Sequence, residues 1–227
     1  MNVYIDIETI PTQKPSALDD IRAAITPPGN ITKEESKATW MRENADSAAL
    51  KKWHDTGLDG TYGEIICIGF AVDDAAPCCV SREIGGSEAE LLKIAFNAID
   101  EVINPHLPFF IGHYAFDFDL RFIYHRAVIN EVVPPFPLWQ NSRYNGEHSY
   151  DTHIGWCGTA RDKHIGLDRI CAVLGIPVKT GGLDGSKVWE YVSTGRLAEV
   201  VEYCKEDVNA TREVYKRLTF GGREVKP

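Results

Sequence analysis

The chain has 227 residues, of which 44% are hydrophobic and 25% are charged, and its formal net charge is −9. This length fits one large domain or at most two small ones, and the ordinary composition excludes disordered and fibrous classes. No segment reaches the ~18 consecutive apolar residues of a membrane span and no secretory signal is visible, so we expect a soluble, cytoplasmic protein. The acidic balance disfavours binding along a long nucleic-acid backbone, although bound cations could draw a short strand to an acidic cluster.

The six cysteines are spread along the chain without a Cys-x-x-Cys pair. They are Cys67, Cys78, Cys79, Cys157, Cys171 and Cys204. This spacing predicts reduced thiols and argues against disulfides or a zinc site. We therefore interpret the cysteines as small buried hydrophobic residues.

The first eight residues predict a β-strand with two carboxylates on one face. Val3, Ile5 and Ile7 alternate with polar positions, so Asp6 and Glu8 project to the same side of the strand. One interpretation is an edge strand whose polar face lies in water. The other is a central strand, in which a divalent cation offsets the cost of burying the two charges.

The rest of the chain predicts an α/β domain with a mixed sheet, because strands alternate with helices and the first strands are joined by short turns. Residues 12–60 resemble an insertion with polar helices near 17–25 and 33–54, which Trp40 and Trp53 anchor to the domain unless they stack on a nucleotide base. Further strands are predicted at 64–72, 78–84, 109–112 and 150–152, and helices after the capping box Ser87-x-x-Glu90 and at 118–129, 167–174 and 196–218.

Four carboxylates fall on these elements where they could converge. Asp6 and Glu8 lie on the first strand, Asp119 in the first turn of a helix, and Asp207 on the last helix, one turn after Tyr203. Converging carboxylates repel one another unless cations are bound, and oxygen-only ligands select Mg²⁺ or Mn²⁺. Two such ions ~3.5–4 Å apart are the usual arrangement for phosphoryl displacement, which indicates a phosphodiesterase-like site.

Three motifs resemble those of the DEDD superfamily of 3′-to-5′ exonucleases. They are Asp6-Ile7-Glu8-Thr9, the segment Gly112-His113-Tyr114-Ala115-Phe116-Asp117-Phe118-Asp119-Leu120-Arg121-Phe122-Ile123, and Tyr203-Cys204-Lys205-Glu206-Asp207. The Tyr-x-x-x-Asp form of the third motif places the chain in the tyrosine branch, similar to DNA polymerase proofreading domains. The resemblance implies a ribonuclease H-like fold, a mixed sheet flanked by helices, in a single domain at 1–218 with the helical insertion at 12–60 and a tail at 219–227.

The resemblance also implies roles for individual residues. The metal ligands would be Asp6, bridging two divalent ions, with Glu8, Asp119 and Asp207, and Tyr203 would orient the attacking water. Asp119 is preferred over Asp117 because Phe118-Asp119-Leu120 matches the frame of the family. The substrate-binding candidates are Thr9, Ile10, His113, Tyr114, which stands where the family commonly has asparagine, and Arg121.

Several neighbouring side chains have two readings. His113 and Arg121 could reach phosphate or serve the structure, and Asp151 could support the metal site or form a turn. The basic side chains in the loops of the carboxyl-terminal part could bind successive phosphates of a nucleic-acid strand or be ordinary surface charges. These late-loop cations are Lys163, His164, Lys179 and Lys187.

We expect a metal-dependent 3′-to-5′ exonuclease, using Mg²⁺ or Mn²⁺, that hydrolyses single-stranded ends, DNA in preference, to nucleoside monophosphates. The alternatives are an exoribonuclease that trims RNA 3′ ends and a catalytically silent module of the same fold that binds nucleic acid or a partner. Proofreading would occur in trans, beside a polymerase or repair complex. A stand-alone repair, recombination or phage-type nuclease is equally compatible with the sequence.

Overall fold

The computed structural model describes residues 1–138, 148–158, 165–178 and 182–222. The strands in these ranges are β1 (Asn2–Ile10), β2 (Glu64–Val72), β3 (Cys78–Ser81), β4 (Phe109–Gly112) and β5 (Ser149–Asp151). They form one sheet in the order β3-β2-β1-β4-β5, in which β1 is antiparallel to β2 and parallel to β4. The prediction of a mixed sheet is confirmed, and of the two interpretations of the first strand the central one is correct.

The helices lie on both sides of this sheet. They are α1 (Ala17–Ala23), α2 (Glu34–Asp55), α3 (Glu88–Ile103), α4 (Asp119–Ile129), α5 (Thr152–Cys157), α6 (Leu167–Leu174), α7 (Val188–Ser193) and α8 (Leu197–Leu218). Ser87 caps α3 by accepting a hydrogen bond from the Glu90 amide, as the capping box predicts. The sequence did not predict α5 or α7, because six residues are too few to establish a helical period.

The two faces of β1 pack against different helices. Val3, Ile5 and Ile7 join the core formed with α3 and α4. The opposite face carries Asp6 and Glu8 and lies under α8. The alternation that was visible in the sequence therefore separates an apolar face from a charged face that a helix covers.

Gly69 allows α8 to approach this charged face closely. It lies opposite Asp6 in the register of β1 and β2. A Cβ atom at this position would lie 2.7 Å from the Cys204 sulfur, which is closer than such atoms pack. The close approach brings the middle of α8, and with it Asp207, next to the carboxylates of β1.

In the order of the chain, helices α1 and α2 come between β1 and β2, where the sequence predicts a helical insertion. The Trp53 indole donates a hydrogen bond to the Thr12 carbonyl at 3.1 Å, and its ring meets the edge of Trp189 at a centroid distance of 5.2 Å. Trp53 therefore anchors α2 to the domain. The boundaries at 12–60 and 218 stay predictions. None of the helices in the described ranges is long and apolar enough to cross a membrane.

Candidate active site

An acidic cluster forms where α8 crosses the middle of the sheet. Carboxylate oxygens of Asp6, Glu8 and Asp207 all lie within 4.8 Å of one another. Glu8 is buried, and Asp6 and Asp207 are partly buried. Strand alternation supplies the first two carboxylates and one position on the helix supplies the third, so the site depends on the packing of α8 against β1.

Asp119 lies beside this cluster and is held by the backbone of β1. It is the first residue of α4 and is buried, and its Oδ1 accepts a hydrogen bond from the Ile7 amide at 3.0 Å. Ile7 lies between Asp6 and Glu8 on the strand. The negative charge of Asp119 is close enough to raise the pKa of both neighbouring carboxyls.

Asp151 holds the loop that leads into α4. Its carboxylate accepts hydrogen bonds from the amides of Tyr114 at 3.1 Å and Phe116 at 3.2 Å. It also caps α5 by accepting from the amides of His153 and Ile154. The structure thus shows Asp151 as a buried cap residue that also fixes the loop before Asp119, whereas its support of a metal site stays a prediction.

The electrostatics of the cluster favour bound cations. Burial raises the pKa of Asp6 and of Glu8 well above the usual carboxyl range, and the neighbouring carboxylates raise it further. Burial also raises the pKa of Asp119 to about 7 and that of Asp207 to about 6. Asp6 Oδ2 is buried and has no hydrogen-bond partner among the described residues. An unpaired buried oxygen in an oxygen-only donor set fits a hard divalent ion.

These pKa shifts predict how the stability of the metal-free protein depends on pH. A carboxyl whose pKa is raised by folding contributes stability that is complete below its unfolded pKa of about 4, and this is lost as the pH rises through the folded value. The stability contributed by Asp207 is therefore lost as the pH rises through about 6, and that contributed by Asp119 as the pH rises through about 7. At ~1.4 kcal/mol for each pKa unit, the unfolding free energy should fall by a few kcal/mol between pH 5 and pH 8, which is several degrees in Tm. Thermal unfolding of the protein in chelator, at pH 5 and at pH 8, measures this fall in stability.

The Asp6→Asn variant is the control for this stability prediction. It removes one of the mutually repelling charges, so the metal-free variant should be more stable than the wild type at pH 8 and show a weaker pH dependence. Mn²⁺ should raise the Tm of the wild type more at pH 8 than at pH 5, and it should stabilise the variant less. An equal Mn²⁺ shift at both pH values would contradict the assignment.

Tyr203 and Asp207 face a cleft beside the cluster. The cleft has a volume of about 460 Å³, and its lining includes Asp168, Lys187 and Glu206. The hydroxyl of Tyr203 hydrogen-bonds the Asp207 carboxylate one helical turn away. Burial and then the charge of Asp207 raise the pKa of Tyr203 above its usual value, so the phenol stays protonated and acts as a donor.

The side chains of Thr9 and Ile10, at the end of β1, differ in part from the expectation that they contact substrate. The Thr9 hydroxyl donates to the Gly57 carbonyl at 2.6 Å, which joins β1 to the turn after α2. Ile10 is 0% exposed and belongs to the core beneath α7 and α8. Its side chain therefore has no surface for a nucleotide, because the strand continues to Ile10 and alternation turns this residue inward.

The substrate-binding candidates of the second motif lie in different surroundings. His113 is held by both ring nitrogens, at 3.0 Å from the Thr152 hydroxyl and 3.0 Å from the Ile165 carbonyl, which corresponds to the structural reading. Tyr114 has a φ of 63°, a left-handed conformation that asparagine adopts more readily than tyrosine. Arg121 is exposed on α4, where it lines a different cavity from the acidic cluster, together with Asp117.

The cleft is also lined by Lys187, one of the late-loop cations, and by Asp168. Lys163, His164 and Lys179 lie outside the described residues, whereas Lys187 pairs with Asp184 at 3.1 Å at the rim of the cleft. Sequence reasoning did not select Asp168, which lines the cleft and whose charge raises the pKa of Asp207. Its position at the start of α6, beside the approach to the third motif, was the available signal.

The central sheet with its flanking helices and the acidic cluster at its middle are the features expected of an exonuclease domain related to those of polymerases. The sheet with its flanking helices is consistent with the ribonuclease H-like fold. The chain is similar to the family B DNA polymerase from the hyperthermophilic archaeon Pyrobaculum calidifontis, with a TM-score of 0.61 and 15% identity over 96% of this chain and 24% of the polymerase chain. The chain thus spans about a quarter of the length of that polymerase.

Residues 60–225 match the family described as a predicted 3′-5′ exonuclease related to the exonuclease domain of PolB, and the chain belongs to this family. The matched range contains Asp119, Tyr203 and Asp207, whereas Asp6 and Glu8 precede it. A search of curated proteins returned no match.

Proposed function

We propose that the protein is a 3′-to-5′ exonuclease of the tyrosine branch that uses divalent metal ions to hydrolyse single-stranded nucleic acid, DNA in preference, to nucleoside monophosphates. The observation that carries this proposal is the convergence of Asp6, Glu8 and Asp207 within 4.8 Å, with a buried, unpaired Asp6 oxygen. Membership of the predicted exonuclease family supports the type of reaction.

The carboxylates have separate tasks in this proposal. Asp6, whose carboxylate lies within 4.8 Å of those of Glu8 and Asp207, would contact both ions, while Glu8 and Asp207 would complete the ligand shell of one. Asp119, held by the Ile7 amide, would hold the second ion, largely through water. When bound, the two ions supply an activated water and stabilise the charge on the leaving oxygen.

Tyr203 would position the attacking water. Its raised pKa excludes a role as a base near neutral pH, because the phenol keeps its proton. A protonated hydroxyl that hydrogen-bonds Asp207 also lies within the field of Glu8 and Asp6. Tyr203 would therefore orient the attacking water beside the ions.

The Tyr203→Phe variant should reduce kcat by about 10- to 100-fold while metal binding stays near the wild-type value. The variant keeps the ring and removes one hydrogen bond to a charged group, worth about 1.5–3 kcal/mol. Single-turnover cleavage at saturating Mn²⁺ measures the rate, and calorimetric Mn²⁺ titration measures binding. A variant that cleaves at the wild-type rate would exclude the orienting role.

The substrate class is tested with single-stranded DNA and RNA of the same sequence, both labelled at the 5′ end. We expect a ladder that shortens from the 3′ end with Mg²⁺ or Mn²⁺, faster on DNA, and no cleavage in chelator. The released products should be nucleoside monophosphates. Faster cleavage of RNA would replace the DNA preference with the RNA-trimming alternative, and no cleavage of either polymer would exclude the exonuclease.

A further inference from the structure

A second cluster of possible ligands lies beside the acidic one and consists of thiols. Sulfur atoms of Cys67 on β2, Cys79 on β3 and Cys204 on α8 all lie within 4.8 Å of one another. Cys67 and Cys204 are 0% exposed, whereas Cys79 is partly exposed. These residues are far apart in sequence, so the prediction from cysteine spacing did not detect the cluster.

The backbone explains why the three sulfurs meet. Cys79 lies opposite Gly69 in the register of β2 and β3, and Cys67 lies two residues before Gly69, so both side chains point to the face under α8. A Cβ atom at Gly69 would lie 2.7 Å from the Cys204 sulfur, so only glycine leaves room for this sulfur. Cys204 therefore fills the space between the two strand cysteines.

The strand geometry favours an ion over a disulfide between Cys67 and Cys79. Cys67 pairs with Ser81, so Cys79 is its diagonal neighbour. Diagonal neighbours are ~7–8 Å apart, beyond the usual ~4.4–6.8 Å between the Cα atoms of a disulfide. Zinc–sulfur bonds of ~2.3 Å place two sulfurs ~3.8 Å apart around a tetrahedral ion. Three sulfurs within 4.8 Å are close to that requirement.

The surroundings of Cys79 favour its thiolate form, whereas the pKa values of Cys67 and Cys204 are raised, so these two thiols would lose their protons only as an ion binds. Hydrogen bonds from the thiols of Cys204 and Cys67 lower the pKa of Cys79, and the nearby charge of Lys205 lowers it further. An ion that binds the cluster would displace the remaining thiol protons to solvent.

We propose that Cys67, Cys79 and Cys204 form a binding site for a thiophilic divalent cation, Zn²⁺ in the first instance, separate from the acidic cluster. Sulfur ligands select soft or borderline ions, whereas the carboxylate oxygens select Mg²⁺ or Mn²⁺. The partly exposed side of Cys79 gives an ion access and leaves room for water as a fourth ligand.

An ion in this site would tie α8 to both β2 and β3. The Cys204 sulfur also contacts the Asp6 carbonyl at 3.6 Å, and Cys204 precedes Asp207 by one helical turn. The site is therefore a clamp on the helix that supplies one carboxylate of the acidic cluster. We expect an ion bound to the three thiols to raise the Tm. This readout does not depend on exonuclease activity.

Cobalt titration of the reduced protein tests this proposal. We expect a thiolate-to-cobalt charge-transfer band that saturates at one equivalent of Co²⁺ and disappears when Zn²⁺ is added. The Cys79→Ser variant should lose the band, and the matched control Cys78→Ser, at the exposed neighbouring cysteine, should keep it. The Asp6→Asn variant should also keep the band, because carboxylate ligands give no such transition.

Thermal unfolding provides a second readout on the same variants. Zn²⁺ should raise the Tm of the wild type and of Cys78→Ser by more than it raises the Tm of Cys79→Ser, in which the acidic cluster remains to bind the ion. Cys204→Ala serves as a second loss variant, with its folding checked by circular dichroism. A wild-type protein without the band, or a band that survives in Cys79→Ser, would overturn the proposal.

Discussion

The Asp6→Asn variant is expected to hydrolyse single-stranded DNA on the order of 10³-fold more slowly than the wild type, or slower still. Asp6 lies within 4.8 Å of both Glu8 and Asp207, and one of its buried oxygens has no hydrogen-bond partner within the described ranges. Metal ions contribute several kcal/mol to phosphoryl displacement, and ~1.4 kcal/mol corresponds to a tenfold change in rate. Single-turnover cleavage at saturating Mn²⁺ measures the loss.

The matched control is Asp74→Asn, which makes the same chemical change at an exposed residue that pairs with Lys216 at 2.9 Å. Surface pairs of this kind contribute little to stability, so the control should cleave at close to the wild-type rate. Equal rates for Asp6→Asn and Asp74→Asn would show that the acidic cluster is not the catalytic centre.

The second large effect is expected at α4, where Asp119→Asn should reduce the rate by about 100-fold and Asp117→Asn by no more than a few-fold. An asparagine at 119 can still accept the hydrogen bond from the Ile7 amide, so the loop should keep its shape while the charge is lost. Losing a group that acts on a metal through water typically costs about 10- to 100-fold. Asp117 lines the separate cavity that contains Arg121.

The ranking of these two variants distinguishes the possible alignments of the second motif. A large loss in Asp117→Asn with little change in Asp119→Asn would show that Asp117 is the ligand. Manganese titration should agree, with Asp119→Asn binding the second ion more weakly than Asp117→Asn does. If both variants cleave at the wild-type rate, α4 supplies no ligand.

The sequence predicted much of the fold because the informative signals are local. Alternation identified β1 and the shared face of Asp6 and Glu8, and the periodic stripe identified α8. Helix α6 ends at residue 174 as predicted, and Gly175 after it has a φ of 67°, the left-handed conformation that glycine adopts at helix ends. The sequence of β1 alone left an edge strand and a central strand open, and the carboxylates Asp119 and Asp207 on later helices favoured the central place that the sheet order shows.

Other parts of the site could not be read from local patterns. Asp151 fixes the loop before Asp119 through backbone amides that are 35 and 37 residues away. The thiols of Cys67, Cys79 and Cys204 meet only because Gly69 lets a helix lie over two strands. Tertiary packing therefore determined which acidic and sulfur groups became neighbours.

The central claim, that the acidic cluster holds ions that act directly on the scissile phosphate, is tested most directly by sulfur substitution at that phosphate. Sulfur is a poor ligand for Mg²⁺ and a better one for Mn²⁺. Replacing one non-bridging oxygen at the 3′-terminal linkage should therefore slow cleavage strongly in Mg²⁺, for one of the two diastereomers, and Mn²⁺ should restore much of the rate. Equal effects of the sulfur in both metals, or cleavage that persists in chelator, would contradict the claim.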